Sequence, residues 1–107
     1  MPLVPEYFPN VSGFQWDDAN SDKSWRRHSV TMSEAEQVFL NRPLLVVDAG
    51  PSGSEPRHFA LGRTDGDRRL AIVFTLRGSL LRVISARPMS RKERLTYERA
   101  KEAEATP

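Results

Sequence analysis

A chain of 107 residues, 38% hydrophobic and 28% charged, has the composition of a soluble globular protein with room for one modest core. The absence of cysteine excludes a disulfide scaffold and thiolate zinc sites, and no apolar run approaches the ~20 residues of a membrane span. The net charge of +2 hides an asymmetry. Residues 1–56 hold four Lys/Arg against eight Asp/Glu, whereas residues 57–107 hold twelve against six, and thirteen of the sixteen bases are Arg. A basic second half predicts either an anionic partner, nucleic acid or acidic protein, or a solvated surface without a ligand.

Residues 1–13 carry Pro2, Pro5 and Pro9 without periodicity and read as an extended leader; no basic region precedes an apolar one, so no signal peptide is visible, and the absence of Cys fits an expected cytoplasmic location. "FQWD" at 14–17 is a short strand candidate. Asp17 is placed to N-cap a poorly amphipathic helix through about Arg27. "SEAE" at 33–36 predicts a capping box, Ser33 with Glu36, opening a helix that shows Ala35, Val38 and Phe39 on one face until Pro43 ends it.

From Leu44 the pattern changes. "PLLVVD", "RHFALGRT", "RRLAIVFTL" and "SLLRVISAR" read as strands, the first followed by a loop over 49–56. Asp65-Gly66 and Arg77-Gly78 read as two-residue hairpin turns. That register sets Leu61 beside Leu70, Phe59 in a row with Ile72 and Val83, and Arg57 in a row with Phe74 and Leu81. It makes this the core face, with Arg63, Arg68 and Arg87 at one end. His58, Ala60, Gly62, Arg69, Ala71, Val73, Thr75, Leu80, Arg82, Ile84 and Ala86 then share the opposite, shallow and positive face. Ser90 and Glu93 form a further capping box, opening a basic helix to about Ala103 whose apolar stripe is narrow: Leu95, Tyr97 and Ala100.

Chemistry-bearing patterns are few. Two His thirty residues apart predict no metal site, and there is no Walker loop, dinucleotide fingerprint or nucleophile elbow. "RRHSV" sets His28 beside two Arg at a helix end, either an acid/base group or a favourable C-terminal cap. The set Arg57, Arg63, Arg77, Arg82 and Arg87 is suited to stabilising an oxyanionic phosphorane, or reads as a rim of solvated strand ends. Trp16 and Trp25 are read as core anchors before stacking platforms.

Taken together, "FQWDDANSDKSWRRHSVTMSEAEQVF", "RHFALGR", "LAIVFTLRG" and "RVISARPMSRKERLTYE" resemble, in order and spacing, the BrnT-type toxin family over residues 14–98. The resemblance implies an α+β, RelE-like fold: an antiparallel sheet with two N-terminal helices and one C-terminal helix, a single domain over 14–103. It implies a ribonuclease toxin that cleaves RNA by attack of the 2′-hydroxyl, without metal or other cofactor. It also implies inhibition of translation and growth, a BrnA-type antitoxin partner, and contact with operator DNA only through that antitoxin. Carried over by position with Asp17, the catalytic set expected is His28, Arg57, Arg77, Arg87 and Glu93. RNA contacts are expected from Arg27, Arg63, Arg69, Arg82, Arg91, Arg94 and Tyr97. The chain departs from the family pattern at Asn20, Ser24 and Ser29, the last standing where the family has Gly. Loss of that Gly predicts an altered helix end. A toxin-like binding module with weakened catalysis is the alternative.

Overall fold

The computed structural model describes residues 11–52 and 55–105. The described elements, in chain order, are β1 (Gly13–Phe14), α1 (Lys23–His28), α2 (Met32–Leu40), β2 (Leu45–Ser52), β3 (Glu55–Arg63), β4 (Arg69–Arg77), β5 (Leu80–Pro88) and α3 (Arg91–Ala105). They form an α+β unit around one sheet of order β1-β5-β4-β3-β2. Three antiparallel pairs make the body of the sheet, and β1 adds a two-residue parallel edge beside β5, so the sheet is mixed. Of the expected leader, residues 1–10 lie outside the described residues. Val11 is buried in the core and Ser12 N–H donates to the Ser79 carbonyl at 2.8 Å, so the fold begins by residue 11. No described helix is long and apolar enough to cross a membrane.

Strand content follows the sequence, but register does not. The β3–β4 loop holds three residues, not two: Thr64 N–H donates to the Arg68 carbonyl at 2.9 Å, and Asp67 N–H to the Thr64 carbonyl at 2.9 Å. The left-handed position falls on Asp67, at φ 66, instead of on Gly66. The pairing is therefore Leu61↔Ala71 and Ala60↔Ile72, one residue from the expected register. Because side chains alternate, that single residue turns all of β3 over. His58, Ala60 and Gly62 join the core face, and Arg57, Phe59 and Leu61 leave it. The β4–β5 turn is Gly78-Ser79, with Gly78 at φ 60 and Arg77 paired to Leu80. This shift of two residues in pairing preserves the face of Leu81 and Val83 beside Phe74, but past the irregularity between Val73 and Phe74 it becomes three, so Ala86 joins the core face instead of the opposite one.

Both faces of the sheet are consequently covered. On one, Ala60, Leu70, Ile72, Phe74, Leu81, Val83 and Ala86 pack under Val30, Ala35, Val38 and Phe39. Phe39 meets Phe74 edge-on, with centroids 5.0 Å apart. On the other, Leu61 and Ala71 pack with Met89 and Tyr97, the latter from α3. Arg87 lies on this second side, correcting its expected place at the charged end of the core face. The strand β2 also extends to Ser52, through part of the predicted loop over 49–56, while residues 53–54 lie outside the described residues.

The helices begin differently from expectation in two cases. Asp17 caps only a turn, accepting Ala19 N–H at 2.9 Å, and α1 starts six residues later. The α2 capping box is Thr31 with Glu34, since Thr31 Oγ1 accepts Glu34 N–H at 3.0 Å and Glu34 accepts Thr31 N–H at 3.0 Å. Glu36, the residue expected there, instead accepts the Trp16 indole N–H at 2.8 Å. The α3 box forms as predicted: Ser90 N–H donates to Glu93 at 2.7 Å and Glu93 N–H to Ser90 Oγ at 3.2 Å.

Gly62 is where α2 rests on the sheet. A Cβ built there would stand 2.6 Å from Val38 Cγ1 and 3.2 Å from the Val38 carbonyl oxygen. Gly62→Ala should lower unfolding free energy by ~1–3 kcal/mol, because α2 must move away from the sheet. Chemical denaturation of the variant checks this.

Candidate nucleic-acid-cleaving groove

Two β-bulges lie at the same level of the sheet. Between Val73↔Ser85 and Phe74↔Val83, β5 carries Ile84 as an extra residue; between Asp48↔His58 and Gly50↔Arg57, β2 carries Ala49. Bulges bend a strand and re-aim its side chains. The first of them places Ile84 in a groove of about 280 Å³ lined by Lys23, Ser24, Arg27 and His28 of α1, Arg57 of β3, and Val73, Ile84 and Ser85 on the sheet.

The groove exists because α1 stands against the edge of β5 beyond its short pairing with β1. The Ser24 hydroxyl accepts Ala86 N–H at 2.8 Å, filling a ladder position that has no strand partner. Asn20, buried, anchors the chain entering α1: its amide donates to the carbonyls of Gln15 at 3.0 Å and Val83 at 2.9 Å. Both departures from the family pattern thus have structural work in this chain. The third is equally specific. Ser29 adopts the left-handed conformation, φ 55 and ψ 39, with its N–H on the Trp25 carbonyl and Val30 N–H on the Ser24 carbonyl. The helix end expected to change is retained, with Ser doing at an energetic cost what Gly does freely. Ser29→Gly should therefore raise unfolding free energy by ~0.5–1 kcal/mol, read as a higher denaturation midpoint.

Of the twelve expected site residues, the groove brings together His28, Arg57 and Arg27. Neither the His28 imidazole nor the Arg57 guanidinium has a hydrogen-bond partner among the described residues. Most other expected cations are already engaged. Arg87 makes a bidentate pair with Glu93, at 2.7 and 2.8 Å, which fastens β5 to the first turn of α3. The Arg87 hydrogen bond, reinforced by Ser90 N–H, holds the Glu93 carboxyl at about 2. Glu93 is therefore ionised at neutral pH and a poor proton donor or acceptor there. Arg82 is bidentate to Asp17, at 2.8 and 3.1 Å, and holds that carboxyl below its usual range. Arg69 pairs with Asp67 and Glu98 and lies over the Tyr97 ring, 5.2 Å from its centroid. Arg63 Nε donates to the Arg42 carbonyl at 2.8 Å.

Tyr97 is a correction. It is fully buried, and its hydroxyl donates to the Pro43 carbonyl at 2.7 Å, so it cannot meet RNA. Arg77 is exposed at the end of β4 outside the groove lining, and Arg91 and Arg94 are exposed on α3. Trp16 packs partly against the core as expected, whereas Trp25, 55% exposed, does not. The pattern reading missed Lys23 and Ser85 as lining residues; neither carries a sequence signal beyond its charge or size. Among the described residues, no three His, Asp or Glu side chains gather as metal ligands.

The Glu93 interaction sets a pH dependence of stability. Its carboxyl is lower in the folded protein than in the unfolded chain, so the contribution is complete above about pH 4.5 and is lost as pH falls towards 2. With Arg87 partly exposed, screening limits the effect to about 1 kcal/mol. Glu93→Gln should flatten the stability profile across that window in pH-stepped denaturation.

No individual curated protein matches the chain. The family model described as ribonuclease toxin, BrnT, of type II toxin-antitoxin system matches residues 16–93. The match spans the groove from Lys23 to Ser85 and ends at Glu93, the residue that fixes α3 to the sheet. Covering most of the sequence, it shows that this chain belongs to the BrnT ribonuclease toxins of type II toxin-antitoxin systems.

Proposed function

We propose that the protein is a metal-independent endoribonuclease toxin whose cleavage site is the α1–sheet groove. The observation that carries this is the convergence of His28, Arg27, Lys23 and Arg57 on one open cleft, while Arg69, Arg82 and Arg87 are bound to carboxylates. A groove that supplies cations and an imidazole suits a phosphodiester. His28 takes the proton of the RNA 2′-hydroxyl as that oxygen attacks the adjacent phosphorus. Arg57, with Arg27 and Lys23, stabilises the charge on the non-bridging oxygens. The 5′-oxygen leaves and is protonated from solvent, giving a 2′,3′-cyclic phosphate and a 5′-hydroxyl end. Arg77, Arg91 and Arg94 contact flanking phosphates. Cleavage of message inhibits translation and growth, and a BrnA-type antitoxin neutralises the toxin and carries the pair to operator DNA.

Induced expression of the chain alone should arrest growth and degrade RNA, and co-expression of the neighbouring antitoxin gene should relieve both. Undiminished growth with intact RNA would falsify the reading. The alternative, a binding module with weakened catalysis, loses ground on the structure's account of Asn20, Ser24 and Ser29: all three keep α1 in place.

A further inference from the structure

The helix α1 has six residues and no buried side chain, too short and too exposed to hold its own geometry. His28 nevertheless has to stand at a fixed place beside Arg57. Two attachments locate the helix. Ser24 fixes its start to β5, as described above. Its end is held by Arg68, from the C-terminal side of the β3–β4 loop, forty residues away in sequence.

The Arg68 guanidinium donates from Nη2 to the His28 carbonyl at 2.9 Å and from Nη1 to the Ser29 carbonyl at 2.7 Å. The same Nη1 lies 3.2 and 3.3 Å from the Glu34 carboxylate oxygens. Glu34 is the acid of the α2 capping box, so one planar fork joins the last turn of α1 to the first turn of α2. Burial pushes the Glu34 carboxyl up, but Thr31 N–H and Arg68 outweigh it and the carboxyl is lowered overall. The clamp also falls on the residue that needs one. Ser29 sits in the left-handed region, a conformation that favours glycine. Loosening that turn would release His28 first.

The geometry points to Arg68 as a positioning residue: it acts on RNA cleavage through the His28 backbone, without touching RNA. The inference rests on the reading of the groove as the cleavage site. A displacement of the order of 1 Å at an acid/base group lowers turnover by about 100-fold. Arg68→Gln should therefore lower kcat by about 10- to 100-fold and leave KM within about twofold. Arg68→Lys, a single-point donor, should fall between. Adding Ser29→Gly to Arg68→Gln should restore about fivefold or more of kcat, because Gly holds the turn without the clamp.

The experiment is single-turnover and steady-state cleavage of a labelled RNA by these variants, below the melting temperature of each. It is paired with NMR of the His28 ring and the Ser29 amide. The inference predicts kcat loss with shifted or broadened signals in Arg68→Gln, and recovery of both on adding Ser29→Gly. Unchanged kcat and NMR signals in Arg68→Gln, or a loss confined to KM, overturns it. If Arg68→Gln does not fold, Glu34→Gln loosens the same fork and should reproduce the kcat loss in part; no loss there overturns the inference too. Full activity of His28→Ala would instead sink the groove reading, and the NMR comparison would still decide whether Arg68 fixes the α1 end.

Discussion

Replacing His28 with alanine should lower kcat for RNA cleavage by about 100- to 1,000-fold, the range for removal of an acid/base group. His28 is exposed at the end of α1 and belongs to no buried cluster, so the variant keeps its fold and melting temperature. Arg57→Ala should have a comparable effect, because Arg57 lines the same groove and, in the proposed mechanism, takes up the charge of the phosphorane. Arg87→Ala behaves differently. That guanidinium is committed to Glu93, so its removal lowers stability and acts on turnover only to the extent that α3 shifts. Steady-state kinetics beside thermal melting separates these cases. Equal loss of activity and stability in His28→Ala would contradict the assignment.

The second large effect is on stability. Tyr97 is the only fully buried side chain among the described residues of α3, and it packs with Leu61, Ala71 and Met89 under the Arg69 guanidinium. Tyr97→Ala should cost ~3–5 kcal/mol, as truncations of large core side chains do. Tyr97→Phe keeps the packing but leaves the Pro43 carbonyl without its donor, and should cost ~1–3 kcal/mol. Denaturation with far-ultraviolet circular dichroism checks both, the helical signal of α3 being lost early in the alanine variant. A phenylalanine variant as stable as the parent would show that the hydroxyl is not a structural tie.

How legible the molecule was depends on which residues are asked about. The four main strands and the Ser90–Glu93 box stood out because alternation and capping are local signals carried by adjacent residues. Register did not, since it turned on whether the β3–β4 loop closes over two residues or three. Asp65-Gly66 advertises the shorter loop, yet Asp67 takes the left-handed position and the longer one forms. That one residue exchanged His58 for Arg57 on the side of the sheet away from α2, which decided the composition of the groove. The bulges at Ile84 and Ala49 had no visible signal, because a bulge is set by both strands at once. His28 and Arg57 could be named singly from the resemblance, but their meeting depends on Ser24 reaching the β5 edge and Arg68 reaching the helix end. The Ser33–Glu36 pattern failed for a simpler reason: Thr31–Glu34 offered the same box one half-turn earlier, with Arg68 to complete it.

The central claim is that this chain cleaves RNA by 2′-hydroxyl attack in the α1–sheet groove. Its most direct test is digestion of a synthetic single-stranded RNA by the purified protein in excess chelator, with the product ends identified by mass spectrometry. The account predicts 2′,3′-cyclic phosphate and 5′-hydroxyl ends, formed by the parent protein and not by His28→Ala or Arg57→Ala. Products bearing 5′-phosphates, cleavage that stops in chelator, or equal cleavage by both variants would contradict it.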